Sequence, residues 1–111
     1  MGRIAEPPVN IIVEITRVEV EKYAALTFDA KLYSILDDKQ QIYAVVIVFD
    51  ERKFMQNSRV VVMAKIAGNR VVVLEDNTDK PLVDALMQAG IPREKIVLAY
   101  AGETLPTENV E

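Results

Sequence analysis

Residues 77–100 read Asn77-Thr-Asp-Lys-Pro-Leu-Val-Asp-Ala-Leu-Met-Gln-Ala-Gly-Ile-Pro-Arg-Glu-Lys-Ile-Val-Leu-Ala-Tyr100. They predict a helix over residues 78–89, because Thr78 or Asp79 can accept hydrogen bonds from the free amides of the first turn. Pro81 falls within that turn, where its missing N–H donor costs little. The apolar side chains recur at helical spacing, at Leu82, Val83, Leu86 and Met87.

The same segment predicts where the helix ends. Gly90 is suited to the left-handed conformation that closes a helix, Ile91 supplies the usual apolar contact after it, and Pro92 prevents continuation. Residues 96–100 are too few and too rich in β-forming side chains for another buried helix. They predict a strand that joins the sheet covered by the helix.

Two β-hairpins are predicted before this unit, with strands over residues 30–36, 42–49, 59–66 and 70–75. The first hairpin turns at the polar residues 37–41. The second turns at residues 67–69, where Gly68 and Asn69 supply the positive φ values of a tight turn. Residues 50–58 form a charged connection between the hairpins. Four consecutive strands with short links predict an antiparallel meander.

The segment after Pro8 has a β-branched residue at every second position, at Val9, Ile11, Val13 and Ile15. This period of two predicts a strand. Thr16 and Glu19 have the spacing of a capping box, so a short helix is expected after Thr16, over residues 17–26. The alternative is that Val18 and Val20 prolong the strand.

Together these elements predict one α+β domain in two layers. The first layer is an antiparallel sheet, a meander of hairpins, and the second is one main helix, residues 78–89, packed across a face of the sheet. The domain is expected over residues 9–101. Residues 1–8 are expected to form a flexible lead-in, and residues 102–111 a flexible acidic tail. A chain of 111 residues suits one domain of this size.

The composition excludes several classes of enzyme. The chain contains no His and no Cys, which excludes triads built on imidazole, thiolate chemistry and sulfur-ligated zinc. Catalysis would have to use carboxylates, Lys, Tyr or a hard metal such as magnesium. No catalytic, cofactor-binding or metal-binding residue is assigned, and the protein is predicted not to be an enzyme.

The charge pattern indicates what kind of partner to expect. Thirteen Lys and Arg residues are scattered among seventeen Asp and Glu residues, for a formal net charge of −4. Phosphate binding needs clustered basic residues, so direct nucleic-acid binding is not expected, and an acidic domain suits a basic protein partner. The apolar runs are far shorter than the roughly 20 residues of a bilayer crossing. A soluble, cytoplasmic protein without a membrane partner is predicted.

Two groups of side chains are candidates for a site. Glu75, Asp76 and Asp79 could hold magnesium, but helix capping is the favoured interpretation of these carboxylates. Asp37 and Asp38 are interpreted in the same way as residues of a turn rather than as a metal site. Aromatic side chains could stack on nucleic-acid bases, but packing is favoured for them. These aromatic residues are Tyr23, Tyr33, Tyr43, Tyr100, Phe28, Phe49 and Phe54. The pairs Lys80 with Asp84 and Arg93 with Glu94 are interpreted as surface charges.

Residues 78–100 resemble the C-terminal signature of the XisI family, described as controlling factors for excision of the fdxN element. The family pattern has a Thr-Glu start, an Ala/Leu-rich helix, Gly-Val-Pro-Lys-Glu-Asp-Ile-Val-Leu and then an aromatic residue. Upstream, Ile35-Leu-Asp37, followed after five residues by Tyr43, is similar to the family's first hairpin. Gly68-Asn-Arg-Val-Val-Val lies where the family carries Gly-Lys-Ile-Trp-Ile. The family's Trp residues are absent from this chain, and Asp79 replaces the Glu that follows the Thr.

The resemblance covers roughly residues 29–100 and implies a small α+β domain that helps to control a site-specific recombination event. It implies a non-enzymatic regulatory protein that acts through a nuclease-like partner, XisH. One alternative is an antitoxin-like inhibitor of a nuclease partner, and another is an enzyme that depends on carboxylates and magnesium. Because one helix leaves part of an apolar sheet uncovered, a homodimer is also predicted.

Overall fold

The chain folds as a five-stranded sheet with two helices against one of its faces. The computed structural model describes residues 7–25, 31–49 and 58–106. The strands are β1 (Lys31–Asp37), β2 (Ile42–Val48), β3 (Ser58–Ala67), β4 (Arg70–Asp76) and β5 (Ile96–Leu98). The helices are α1 (Val9–Glu21) and α2 (Leu82–Gln88), and short 3₁₀ turns occupy Lys22–Ala25, Arg93–Lys95 and Ala99–Ala101. Neither helix is long and apolar enough to cross a bilayer.

The order of the strands in the sheet is their order in the chain. Strands β1 to β4 pair as antiparallel neighbours, and β5 joins the edge of the sheet parallel to β4. The connection between these two parallel strands runs through α2, because parallel neighbours need a long crossover, which is usually a helix. The predicted α+β class and the four-stranded meander are confirmed. The predicted fifth strand also forms, but it ends at Leu98, and Tyr100 lies in the turn that follows.

Both predicted hairpin turns are present. In the first, the Asp37 carboxylate accepts hydrogen bonds from the backbone amides of Lys39 and Gln40, each at 3.0 Å. These bonds, the one from Gln40 foremost, hold the pKa of Asp37 below its ordinary value. In the second, Gly68 has φ +64°, whereas the positive φ expected for Asn69 is wrong. Of the predicted connection, residues 50–57 lie outside the described part of the chain, and Ser58 already belongs to β3.

The predicted strand over residues 9–15 is wrong, because this segment is the first half of α1. The residues that α1 buries are Ile12, Thr16 and Val20, which recur every four positions as on one face of a helix. The alternating set that suggested a strand includes Val9 and Ile11, both of which are exposed. At thirteen residues, α1 is also the longer helix, so the main helix is not the one over residues 78–89.

Thr16 has a different role from the one predicted. It lies in the middle of α1, and its hydroxyl donates a 2.8 Å hydrogen bond to the carbonyl of Ile12 one turn earlier. This local bond gives the buried Thr16 hydroxyl a hydrogen-bond partner within its own helix. The predicted capping box, with a helix that starts after Thr16, is therefore wrong, as is a strand prolonged through Val20. Glu19 instead forms an ion pair with Lys22.

The second helix ends as predicted but begins later. Gly90 has φ +115°, and two backbone bonds close the helix, from Gly90 to the Met87 carbonyl and from Ile91 to the Leu86 carbonyl, both 3.0 Å. These are the paired bonds of a Schellman motif, and the Ile91 side chain is buried as that motif favours. At the other end, α2 starts at Leu82 rather than at residue 78.

The core lies between the helices and one face of the sheet. Its helical residues are Ile12 and Val20 of α1 and Leu82 and Leu86 of α2, all fully buried. They pack on strand residues that face the same way, namely Tyr43, Val45, Val62, Ala64, Ile66, Val71, Val73 and Ile96. Burial of each large apolar side chain contributes about 1.5 to 3 kcal/mol relative to exposure. The two-layer arrangement is thus held mainly by this single apolar cluster.

Candidate functional site

The start of α2 is organised by Asp76, the last residue of β4. One carboxylate oxygen accepts the backbone amide and the hydroxyl of Thr78, at 3.0 and 2.7 Å. The other accepts the backbone amide of Leu82, the first residue of α2, at 2.7 Å. A carboxylate in this place satisfies a free amide and interacts favourably with the positive end of the helix dipole. Asp76 therefore caps α2, where Thr78 or Asp79 had been expected to do so.

The three carboxylates considered for magnesium do not form a common cage. Both oxygens of Asp76 are occupied by protein donors, while Glu75 and Asp79 are exposed. Among residues 7–25, 31–49 and 58–106, no group of three or more Asp, Glu, His or Cys side chains is arranged to hold a metal ion. The geometry at Asp76 supports the capping interpretation for that residue.

A groove of about 580 Å³ runs between the end of α1 and the start of α2. We refer to it as the α1–α2 groove, and its lining includes Glu19, Lys22, Tyr23, Asp79, Lys80 and Asp84. The Tyr23 hydroxyl donates a hydrogen bond to the backbone carbonyl of Lys80, which fixes the 3₁₀ turn after α1 against the loop before α2. Both walls of the groove are thereby held in place.

The pKa values of two phenols, Tyr23 in the groove and Tyr100 after β5, are raised by their surroundings. Burial, and then the negative charge of Asp76, raises the pKa of Tyr23. Burial, followed by the charges of Asp76 and Asp84, likewise raises the pKa of Tyr100. A phenol with a raised pKa donates hydrogen bonds at neutral pH and is a poor general base. The Tyr23 hydroxyl already donates its hydrogen bond to the Lys80 carbonyl, so the groove offers a partner mainly its carboxylates, which suit contact with a basic or polar protein segment.

A second junction joins α1 to the first hairpin. Asp38, in the turn after β1, accepts a 2.9 Å hydrogen bond from the hydroxyl of Tyr43. The same carboxylate oxygen lies 3.3 Å from Nε of Arg17 on α1, which makes an ion pair without an aligned hydrogen bond. Burial, and then the bond to Asp38, raises the pKa of Tyr43 to about 12. The family-like pattern joins Asp37 to Tyr43, but the structure does not pair these two residues, since Tyr43 bonds to Asp38 and Asp37 holds the turn.

The raised pKa of Tyr43 predicts a loss of stability at high pH. The unfolded chain ionises this phenol near its ordinary pKa of 10.0, two units before the folded protein does. The Tyr43 contribution is therefore complete below pH 10 and is lost as the pH rises through 12. At pH 11 the loss is on the order of 1 kcal/mol. Chemical unfolding between pH 9 and pH 11 should show a shallower decline for Tyr43→Phe, whereas Tyr33→Phe should follow the wild type. Equal declines in all three proteins would contradict this account.

The aromatic side chains do not come together as a stacking platform in the described residues. Tyr43 is buried on the helix side of the sheet, Tyr23 lies in the groove, and Tyr33 is exposed on the opposite face of the sheet. Phe49 lies beneath the Arg59 guanidinium, 5.5 Å from the ring centre, which is a cation–π contact. Phe28 and Phe54 fall outside the described residues.

The structure arranges the residues of the two predicted charge pairs differently from the prediction. Lys80 precedes α2, so it does not share a helix face with Asp84. Arg93 pairs with Glu103 at 2.7 Å, and Glu103 also accepts the backbone amide of Leu98. That backbone bond and the guanidinium lower the pKa of Glu103. Glu103 belongs to the predicted tail, and its contacts fasten the chain after β5.

The fold and this site define a small α+β domain with a five-stranded sheet, and two crystal structures share that fold. One is of a XisI-like protein from Anabaena variabilis ATCC 29413, with a TM-score of 0.72 and 23% identity over 82% of this chain and 85% of that one. The other is of the fdxN element excision controlling factor XisI from the same strain, with a TM-score of 0.61 and 18% identity over 80% of this chain and 86% of that one.

The family relationship comes from the sequence. The family described as XisI protein matches residues 8–107, which is nearly the whole chain. The chain belongs to the XisI family, so the resemblance noted at residues 29–100 is confirmed and extends through α1. No protein of curated function matches the chain.

Proposed function

We propose that this protein is a non-enzymatic controlling factor for excision of a DNA element by site-specific recombination, and that it acts in the cytoplasm through a protein partner. The observation that supports the proposal most is membership of the XisI family over residues 8–107. One protein of the same fold is the fdxN element excision controlling factor XisI. The name of that protein describes control, which is a regulatory role.

The chemistry of the site agrees with a role without catalysis. The chain has neither His nor Cys. The phenols of Tyr23 and Tyr100 have raised pKa values, and the Asp76 carboxylate is occupied by the amides and hydroxyl that it caps. These groups position the chain rather than move protons. Their arrangement supports a domain that works by contact.

The α1–α2 groove is the surface that we assign to the partner. Its carboxylates, Glu19, Asp79 and Asp84, outnumber its lysines, Lys22 and Lys80, and Glu19 is already paired with Lys22. Asp79 and Asp84 are exposed at its rim. A basic segment of an XisH-like, nuclease-like partner would be attracted to them, and the net charge of −4 would favour its approach.

Charge reversal at the rim of the groove tests the proposal. A reporter plasmid that carries an excisable element with its recombinase should lose the element only when this protein and its XisH-like partner are both expressed. The double variant Asp79→Lys with Asp84→Lys should bind the partner about 10- to 100-fold more weakly, as loss of two favourable rim charges predicts, and excision should fall with binding. Calorimetry with the purified partner measures the affinity.

The matched control is Glu14→Lys with Glu21→Lys, which makes the same change in net charge at exposed positions of α1 outside the groove. It should keep partner affinity and excision. If the rate of excision is the same with and without this protein, the proposal is overturned. Inhibition of the partner's nuclease activity without any effect on excision would replace it with an antitoxin-like function.

A further inference from the structure

The sheet has two edges, and the one formed by β5 is closed by side chains and turns. Arg93 engages both backbone groups of Ile96, since its carbonyl accepts the Ile96 amide and its Nη1 donates to the Ile96 carbonyl at 2.8 Å. Glu103 engages both backbone groups of Leu98, because its carboxylate accepts the Leu98 amide at 2.9 Å and its own amide donates to the Leu98 carbonyl at 3.1 Å. The outward backbone groups of this three-residue strand are thereby occupied.

The opposite edge, formed by β1, is not closed in this way. This strand is seven residues long, and its register with β2 runs without a bulge from Lys31 to Asp37. It contains no Pro, and its charged residues stand only at its two ends. Among residues 7–25, 31–49 and 58–106, the backbone of β1 forms hydrogen bonds with β2 alone. A long and regular edge strand of this kind presents a row of unpaired amides and carbonyls with which another strand can pair.

The face of the sheet away from the helices does not offer a comparable surface. The register places Ala44, Val72 and Val97 on this face, but all three are already buried within the single chain. Lys65 and Glu75 lie on the same face and add charge to it. Association with a second copy is therefore better supported at the β1 edge than at this face.

The sequence of β1 complements itself when two copies run antiparallel about Ser34. The facing pairs are then Ser34 with Ser34, Tyr33 with Ile35, Leu32 with Leu36 and Lys31 with Asp37. Every second residue of a strand directs its backbone groups outward, and this register sets outward residues opposite one another, so the ladder of hydrogen bonds is continuous. Tyr33 and Ile35 are 51% and 49% exposed, and an aromatic side chain beside a β-branched one is a favourable cross-strand pair. The match does not need the Asp37 carboxylate, which stays bonded to its own turn.

We propose that two copies of this chain join edge to edge through β1, antiparallel and related by a two-fold axis through Ser34. The five strands of each copy then form one continuous sheet, in which each β1 gains the second neighbour that it lacks. The axis is perpendicular to the sheet, so the helices and the α1–α2 grooves of both copies lie on the same side. The proposal does not rest on the role in excision, because its pairing uses the edge of β1 and not the groove.

An exchange of charge at Ser34 tests the position of the axis. Ser34 is exposed, and the axis sets it opposite the same residue of the other copy. Ser34→Lys and Ser34→Glu should each raise the dimer dissociation constant roughly 5-fold, because like charges then face each other. An equimolar mixture of the two variants sets opposite charges face to face, so it should associate about 10-fold more tightly than either variant alone. Sedimentation equilibrium measures these constants, and the wild type should give twice the chain mass of 12.4 kDa at about 100 µM.

A cross-linking experiment keeps the test decisive if a charged variant unfolds. The chain has no Cys, so Ser34→Cys carries a single thiol, which the axis brings next to the thiol of the other copy. A short bismaleimide should therefore link Ser34→Cys into covalent dimers. The control is Ser58→Cys, the same substitution at an exposed position of the inner strand β3, and it should remain monomeric.

Three results would overturn the proposal. The first is a wild type that is monomeric at about 100 µM, well above the dissociation constants of stable dimers. The second is a mixture of Ser34→Lys and Ser34→Glu that associates no more tightly than its components. The third is a monomeric protein whose Ser34→Lys variant loses the excision partner, because the edge of β1 would then pair with a strand of that partner.

Discussion

Ile12→Ala should lower the free energy of unfolding by about 3 to 4 kcal/mol. Ile12 is fully buried between α1 and the strands, and it belongs to the same cluster as Leu82 and Leu86 of α2. Truncation therefore removes apolar contacts to both layers and leaves a cavity that a packed helix cannot collapse to fill. Urea unfolding followed by circular dichroism gives the difference.

The neighbouring residue provides the control. Ile11→Ala changes the same side chain at a position that is 41% exposed, and it should cost less than about 1 kcal/mol. The pair also decides between a helix and a strand, because an alternating strand would bury Ile11 with Val9, Val13 and Ile15. A larger loss for Ile11→Ala than for Ile12→Ala would show that residues 9–15 do not form α1 in solution.

Asp76→Ala should cost about 3 kcal/mol, more than an ordinary helix cap, because the loop before α2 depends on this carboxylate as well. The substitution leaves the Leu82 amide, the Thr78 amide and the Thr78 hydroxyl without their acceptor. Asp76→Asn keeps one acceptor oxygen, so we expect a smaller loss of about 1 to 2 kcal/mol. Thermal and urea unfolding of both variants measure the two losses.

The control for this prediction is Asp79→Ala. Asp79 is one of the two residues, with Thr78, expected to cap the helix when the sequence is considered alone, but it is exposed. Its removal should change stability by no more than about 0.5 kcal/mol. If Asp79→Ala proved as costly as Asp76→Ala, the start of α2 would have to be placed nearer to residue 78.

The sheet could be predicted from the sequence because its signals are local. Each hairpin joins β-forming segments across a polar or Gly-containing turn, and Gly68 and Gly90 adopt the positive φ values that their positions suggested. The end of α2 is equally local, since its closing bonds connect residues within five positions of each other. Elements of this kind are determined by interactions between residues that are close in the sequence, and the structure contains them.

The first helix could not be predicted in the same way, because its buried stripe passes through a polar residue. Ile12 and Val20 are separated by Thr16, which counts as polar in a hydrophobic pattern although its hydroxyl is satisfied within the helix. The β-branched residues around it produced a competing alternation. Only the packing of α1 across the sheet decides between the two patterns.

The candidate site was the least predictable part. Asp76 lies six residues before Leu82, and the turn of residues 77–81 is what brings its carboxylate to the helix start. The one sequence signal that could have indicated it is an Asp followed two positions later by Thr, which favours an Asp-stabilised turn. The contacts of Asp38 with Arg17 and Tyr43 depend on tertiary packing, and no local pattern predicts them.

The position of α1 at the start of the chain has a consequence for synthesis. The helix contacts β1 to β4 and also α2, so its packing surface is complete only when the chain has been made as far as Gln88. Ribosomes add residues from the N-terminus at about 5 to 20 per second, so the apolar stripe of α1 waits several seconds for its partners. The apolar stripe of α1 is therefore made well before the last of the elements that cover it.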